Sequence, residues 1–155
     1  MRVLVDTNIL LRSAQPNHTL CPQATHAVSK LLRERAAVFF CSQNIAEFWN
    51  VASRPAERNG LGFSHSEVLL EIRGIESLLT LLPDIPAIYP VWKELVRDHS
   101  VQGVKVYDAR LVAIMSVYAV DARHPPAARP FKKFTRSPQR QAAGDFPPVN
   151  VIHFV

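Results

Sequence analysis

Three acidic side chains stand at positions where they could take part in chemistry. Asp6 directly follows the short apolar run Val3–Val5, and ligands of parallel sheets bind at the carboxyl ends of the strands. Glu47 lies inside a largely apolar segment, where a carboxylate has to be paired, hydrogen-bonded or metal-bound. Asp108 begins the most apolar stretch of helical spacing in the chain. These three acids are therefore the candidate catalytic residues.

The chemistry of such a set follows from its charge. Three carboxylates gathered at one end of a sheet would repel one another, and without a cation at least one would take up a proton. Mg²⁺ and Mn²⁺ are hard ions that prefer oxygen ligands, and they promote phosphodiester hydrolysis by activating water and stabilising charge on a phosphoryl oxygen. Metal-assisted phosphodiester hydrolysis is the reaction that this cluster would serve best.

Each acid also has a structural alternative. Asp6 could cap the helix that follows it, and Asp108 could be an N-terminal helix acid that complements the macrodipole. Glu47 could be a partly exposed side chain at the edge of a helix. The acids are separated by 41 and 61 residues, so only the fold can bring them together.

The elements that must position these residues alternate along the chain. Short apolar runs predict strands at Val3–Val5, Val38–Cys41 and Val149–Phe154. Helical spacing predicts helices that begin near Ile9, Pro22, Ser42 or Gln43, Ser64, Ile88 and Asp108. The segment Leu78–Leu82 fits a helix end or a strand. Strands that alternate with helices indicate one α/β domain over residues 1–155, with a mainly parallel sheet.

The composition excludes several classes of protein. The chain has 155 residues, of which 48% are hydrophobic and 20% charged, which excludes a disordered chain. No apolar run reaches the ~18 residues of a membrane span, and Asp6 interrupts any secretory signal. Cys21 and Cys41 have neither zinc-site spacing nor a disulfide framework, so we expect free thiols in a reducing cytoplasm. The six histidines form no cluster typical of metal ligands.

The net charge of +5 is unevenly distributed. Residues 1–120 carry 12 Lys and Arg against 11 Asp and Glu, whereas the last 35 residues carry 6 against 2. The same 35 residues hold 6 of the 12 prolines. This segment is either a solvated surface loop or a basic strip that contacts nucleic acid.

Three stretches of the chain resemble the PIN domain family, above all the VapC-type toxins of bacterial toxin–antitoxin pairs. They are Val3–Leu11, Asn44–Asn50 and Tyr107–Ala113. Arg54-Pro55 together with Asn59–Gly62 also resembles a loop of that family. The resemblance extends over about residues 1–120.

The resemblance implies a PIN-like α/β/α sandwich and a ribonuclease that depends on Mg²⁺ or Mn²⁺. It also implies that Asp6, Glu47 and Asp108 bind the metal and that Asn8 supports the site by hydrogen bonding. Many members of the family form homodimers and are inhibited by a cognate antitoxin, so both partners are expected here.

The basic Pro-rich segment at 121–148 departs from the family pattern. The family has a fourth acid before a Phe, whereas this chain has Pro130 before Phe131. Asp121 or Asp145 could replace that acid, and the loss of one carboxylate would weaken a second ion more than it would abolish metal binding. The segment is interpreted as a degenerate or frame-shifted version of the family sequence.

Three functions remain open at this point. The first is a metal-dependent endoribonuclease toxin, in which Arg12, Arg110 and the basic segment hold phosphates of single-stranded RNA. The second is a catalytically impaired PIN-like binding module that dimerises or binds an antitoxin. The third is an aspartyl phosphatase or phosphotransfer domain with Asp6 as nucleophile, a class that favours a second Asp where this chain has Asn8. Trp49 and Trp92 are expected in the core or a dimer interface rather than as platforms for bases.

Overall fold

The computed structural model describes residues 1–120 and 151–152. The predictions for the segment 121–148, including those for Asp121, Pro130 and Asp145, concern residues outside these ranges. In the described part, strands and helices alternate in the order β1 (Arg2–Val5), α1 (Thr7–Ser13), α2 (Cys21–Arg33), β2 (Ala37–Cys41), α3 (Ser42–Ser53), α4 (His65–Leu78), β3 (Thr80–Leu82), α5 (Ile88–Asp98), α6 (Lys105–Val117) and β4 (Val151–Ile152). A 3₁₀ turn at Ala56–Arg58 lies between α3 and α4. None of these helices is both long and apolar enough to cross a membrane.

The four described strands form one parallel sheet in the order β3-β2-β1-β4. Leu4 of β1 lies opposite Phe39 of β2, and Phe39 in turn lies opposite Thr80 of β3. Because the strands are parallel, the residues that follow β1, β2 and β3 meet at one end of the sheet. We refer to this region as the carboxyl end of the sheet.

Helices cover both faces of the sheet, as the α/β/α prediction requires. Val3 and Val5 of β1 pack in a core with α1–α4, whereas Leu4 packs with α5 and α6. Successive residues of a strand point to opposite faces, so one short buried strand supplies both cores. The apolar character of β1 on both faces is typical of a strand in the interior of a parallel sheet.

The local signals in the sequence locate most of the helix ends. The predicted capping box is present at α4, where the backbone N–H of Ser64 donates to Glu67 Oε2 at 2.7 Å. The hydrogen bonds from Ser64 hold the pKa of Glu67 below its usual value. The ambiguous segment Leu78–Leu82 contains both structures, since α4 ends at Leu78 and β3 begins at Thr80.

The predicted start of the last helix is wrong by three residues. We predicted that Asp108 begins it, whereas α6 begins at Lys105 and contains Asp108 in its first turn. The periodicity misses this turn because Val104 and Lys105 are exposed and the buried face begins at Ala109. Gly103, at φ +59°, turns the chain just before the helix.

The turn after α3 brings the chain back to the C-terminal end of that helix. The backbone N–H groups of Gly62 and Phe63 donate to the carbonyls of Arg54 and Ala52 at 2.8 and 2.9 Å. A Cβ at Gly60 would lie 1.9 Å from the carbonyl oxygen of Arg54, so only glycine fits there. The turn satisfies carbonyl groups that the C-terminus of a helix otherwise leaves unpaired.

Candidate functional site

Asp6 lies at the carboxyl end of the sheet, between β1 and α1, and only 4% of its surface is exposed. Its backbone starts the helix, since the carbonyl oxygen accepts from the N–H of Ile9 at 3.0 Å. Its carboxylate makes no capping hydrogen bond. Asn8 Nδ2 instead donates to Asp6 Oδ2 at 3.2 Å. Asp6 therefore begins α1 with its backbone carbonyl, and its carboxylate does not cap the helix.

Glu47 lies in α3 and is half-buried. Its two carboxylate oxygens accept hydrogen bonds from neutral groups, Thr7 Oγ1 at 2.6 Å and Gln43 Nε2 at 2.8 Å. Within residues 1–120 and 151–152, Glu47 takes part in no ion pair. A carboxylate has about four acceptor positions, so these two bonds orient Glu47 and leave lone pairs for another ligand.

Thr7, which follows Asp6 at the start of α1, is hydrogen-bonded to the helix α3 that carries Glu47. Its hydroxyl accepts from Asn44 Nδ2 at 3.2 Å while it donates to Glu47. Asn44 is fully buried, and its Oδ1 accepts from the backbone N–H of Cys41 at 2.9 Å. These bonds fix the start of α3 against the start of α1.

Asp108 is half-buried in the first turn of α6. The residue before it is held to α3, because Gln43 Nε2 donates to the carbonyl oxygen of Tyr107 at 3.1 Å. Glu47 is thus hydrogen-bonded to Thr7, the residue that follows Asp6 in the sequence. Glu47 is also bonded to Gln43, which in turn donates to the carbonyl of Tyr107, the residue before Asp108. These bonds form one network. Glu47 belongs to this network, whereas Asp6 and Asp108 are the sequence neighbours of two of its members, Thr7 and Tyr107.

The network is not a closed cluster of three acids. Among the residues that the structure describes, no group of three His, Cys, Asp or Glu side chains is placed to hold a metal ion. The available donors are carboxylate oxygens, which suit Mg²⁺ and Mn²⁺. Mg²⁺ is commonly bound through one or two carboxylates and several waters. The chemistry of these donors is compatible with an ion that is bound in that more open way.

Asp84 and Arg110 complete the site on the side of β3. Asp84 follows β3 by two residues and accepts hydrogen bonds from Ser42 Oγ and Arg110 Nη2. Arg110 Nη1 also donates to Gln43 Oε1 at 3.1 Å. From the sequence, Arg110 was expected to hold a phosphate, and Asp84 was not among the predicted site residues. The signal for Asp84 is the same as for Asp6, an acid just after a parallel strand.

The other residues singled out in the sequence have structural contacts. Trp92 Nε1 donates to the carbonyl oxygen of Val106 at 2.9 Å, and Trp49 stacks edge-on against His65 with ring centres 5.0 Å apart. Cys21 and Cys41 are both free thiols, as predicted. Burial raises the pKa of Cys41, so that thiol is stabilised in its neutral form.

Two solved structures share this architecture. VapC20 from Mycobacterium tuberculosis, a toxin that cleaves the sarcin–ricin loop, aligns with a TM-score of 0.54 at 16% identity over 76% of this chain and 84% of its own. FitAcB from Neisseria gonorrhoeae aligns with a TM-score of 0.53 at 13% identity, over 76% and 83% of the two chains. No protein-family model matches the sequence, and no curated protein is significantly similar to it. The chain has the PIN-domain fold of VapC-like proteins, the fold that its sequence resemblance predicted.

Proposed function

We propose that this chain is a divalent-metal-dependent endoribonuclease and the toxin of a toxin–antitoxin pair. The observation that carries the proposal is Glu47, which the neutral donors Thr7 and Gln43 orient near the carboxyl end of the sheet, where Thr7 directly follows Asp6. The likeness of the fold to VapC20, a toxin that cleaves the sarcin–ricin loop, supports RNA as the substrate.

Asp6, Glu47 and Asp108 are the residues that would hold Mg²⁺ or Mn²⁺. When bound, the metal supplies Lewis-acid polarisation of the phosphodiester and makes water a stronger nucleophile. The protein's own contribution is orientation: Asn8 fixes the carboxylate of Asp6, and Thr7 fixes that of Glu47. Fixed carboxylates do not have to reorganise during the reaction, which is a main source of rate enhancement.

RNA, an antitoxin and a second copy of the chain are the proposed partners. Arg12, in the last turn of α1, and the basic segment 121–148 would hold phosphates away from the acids. We place the protein in the cytoplasm, since its two cysteines are free thiols.

A catalytically impaired PIN-like binding module is the second candidate. It is favoured because no three acids are placed to hold a metal within residues 1–120 and 151–152. The proline at position 130, where the resemblance calls for an acid, points the same way. Such a protein would still dimerise or bind an antitoxin, but it would not cleave RNA.

A Mn²⁺ titration together with RNA cleavage tests the proposal. The proteins compared are the wild type, Asp6→Asn, Asp108→Asn and the control Asp98→Asn, which alters an exposed acid on α5. We expect Mn²⁺ affinity to fall by about tenfold or more in the two site variants and cleavage to fall with it. Asp98→Asn should behave like the wild type.

Two results would count against the enzyme, and a third would count against the residues assigned to its site. Absence of Mn²⁺ binding at millimolar concentration, or Mn²⁺ binding without cleavage of any RNA tested, would leave the binding module as the better reading. Cleavage that survives in Asp6→Asn and Asp108→Asn would show that a different set of residues is responsible.

A further inference from the structure

Arg110 lies between an acid and an amide at the carboxyl end of the sheet. One guanidinium nitrogen, Nη2, donates to Asp84 and the other, Nη1, donates to Gln43 Oε1 at 3.1 Å. Gln43 is itself bonded to Glu47. The four side chains therefore form a continuous path from the end of β3, through α6, to the carboxylate in α3. We call this path the Asp84–Glu47 relay.

The direction of the Gln43 amide follows from the chemistry of its neighbours. Arg110 can only donate hydrogen bonds, so the amide must turn its oxygen towards the guanidinium. Its NH₂ group then faces Glu47 Oε1 and the carbonyl oxygen of Tyr107, both of which are acceptors. Turning the amide over would place donor against donor at Arg110 and acceptor against acceptor at Glu47.

The position of Arg110 is itself fixed by its hydrogen bond to Asp84. Asp84 holds the guanidinium and also accepts from Ser42 Oγ, at the first residue of α3. An arginine can serve both partners because its planar group presents several donors in a fixed fork, whereas a lysine is a compact point charge. Only 31% of the Arg110 side chain is exposed, and Gln43 is buried.

We propose that Arg110 is a positioning residue, which sets the orientation of the Gln43 amide and thereby holds the carboxylate of Glu47 in place. The relevance to catalysis rests on the proposed function, whereas the effect on Gln43 and Glu47 is a property of the folded chain. Arg110 acts through Gln43 and is not assigned a contact with substrate or metal.

The first test measures the side-chain amide resonances of Gln43 directly. In ¹⁵N-labelled protein, Arg110→Met should shift the two side-chain NH₂ resonances of Gln43 and increase their exchange with solvent, because the amide loses the partner that fixes it. Gln43→Leu identifies the resonances by removing them. Arg97→Met is the matched control, since it removes an exposed arginine that is paired with its neighbour Asp98 on α5. Unchanged Gln43 resonances in folded Arg110→Met would overturn the proposal.

The second test reverses the ion pair. In the double variant Asp84→Arg with Arg110→Glu, the new Glu at position 110 would accept from the NH₂ group of Gln43 and turn the amide oxygen towards Glu47. A merely structural ion pair would be restored by this exchange, as measured by the thermal midpoint. We expect Mn²⁺ affinity to stay about tenfold below that of the wild type even where stability recovers. Full recovery of Mn²⁺ affinity in the double variant would contradict the relay.

The variant Arg110→Lys covers the case in which Arg110→Met does not fold. It keeps the charge beside Asp84 but lacks the fork that reaches Gln43, so we expect near wild-type stability with weakened Mn²⁺ binding and shifted Gln43 resonances. If the wild type binds no Mn²⁺, the proposed function fails, and the Gln43 resonances alone then decide whether Arg110 positions the amide.

Discussion

Glu47 and Asp84 are acids on neighbouring strand connections at the same end of the sheet, yet their partners differ in charge. Asp84 is bonded to the guanidinium of Arg110 and to a hydroxyl. Glu47 receives its hydrogen bonds from a hydroxyl and an amide, both neutral. The charge of Asp84 is thus offset within the protein, whereas within residues 1–120 and 151–152 the carboxylate of Glu47 is oriented without an ion-pair partner.

This difference separates two roles for an acid in the connection that follows a parallel strand. A carboxylate that is held by neutral dipoles keeps its negative charge and attracts a cation, while one that is paired with an arginine has already found its counter-charge. Position at the end of a strand therefore does not by itself identify a metal ligand, and the charge of the neighbouring donors has to be considered as well.

The largest effect is expected from Glu47→Gln. Loss of an outer partner of a metal ligand costs about 10–100-fold in affinity or activity, so loss of a ligand should exceed about 100-fold. Folding should lose only a little stability: the glutamine oxygen can still accept from Thr7, although its NH₂ group then faces the NH₂ group of Gln43. RNA cleavage under Mg²⁺ and the thermal midpoint measure the two quantities. Cleavage within tenfold of the wild type would show that Glu47 and Asp84 do not differ in role.

A smaller effect is expected on stability from Thr7→Val. The valine has a similar shape but cannot donate to Glu47 or accept from the fully buried Asn44. An unsatisfied buried polar group costs about 1–3 kcal/mol, and denaturant unfolding should show a loss of this size. Thr7→Ser, which keeps the hydroxyl, is the control and should lose clearly less.

Asp84→Asn should be milder than Glu47→Gln. The Asp84–Arg110 pair is partly exposed, and such pairs contribute about 0–1 kcal/mol to folding. Mn²⁺ affinity should fall by about tenfold, because Arg110 is then held less firmly against Gln43. Calorimetric titration of Asp84→Asn and Glu47→Gln with Mn²⁺ gives the ratio of their losses in affinity. Equal losses in Asp84→Asn and Glu47→Gln would assign both acids to the metal.

The smallest effect concerns the thiol of Cys41. Its pKa is raised chiefly by burial, and to a lesser extent the charge of Arg110 lowers it and that of Asp84 raises it. Asp84→Asn should therefore lower the pKa of Cys41, and Arg110→Met should raise it. The pH dependence of thiol labelling in a Cys21→Ser background measures both shifts. Shifts of the same sign in the two variants would contradict this electrostatic description.

Much of the fold could be predicted from local signals in the sequence. The run Val3–Val5, the strand Val38–Cys41 and the capping box at Ser64 each depend on neighbouring residues, and the structure has all three. The start of α6 was predicted three residues late because its first turn is exposed and carries no apolar periodicity. The apolar periodicity of a sequence therefore marks only those turns of a helix that are buried.

The partners in the candidate site could not be predicted in the same way. Thr7 and Glu47 are 40 residues apart, and Gln43 and Arg110 are 67 apart, so no periodicity connects them. Asp84 was missed because the strand before it has three residues and its segment also fitted a helix end. The roles of Asp6, Glu47 and Asp108 as metal ligands stay predictions.

The turn after α3 has a consequence for how the sequence can vary. Any side chain at Gly60 would collide with the carbonyl of Arg54, and the turn that this glycine permits returns N–H groups to the end of the helix that carries Glu47. A scan of all substitutions should therefore find position 60 nearly as intolerant as the acids, although it has no reactive group. Intolerance to substitution would then identify the turn that anchors the helix carrying Glu47, as well as the acids themselves.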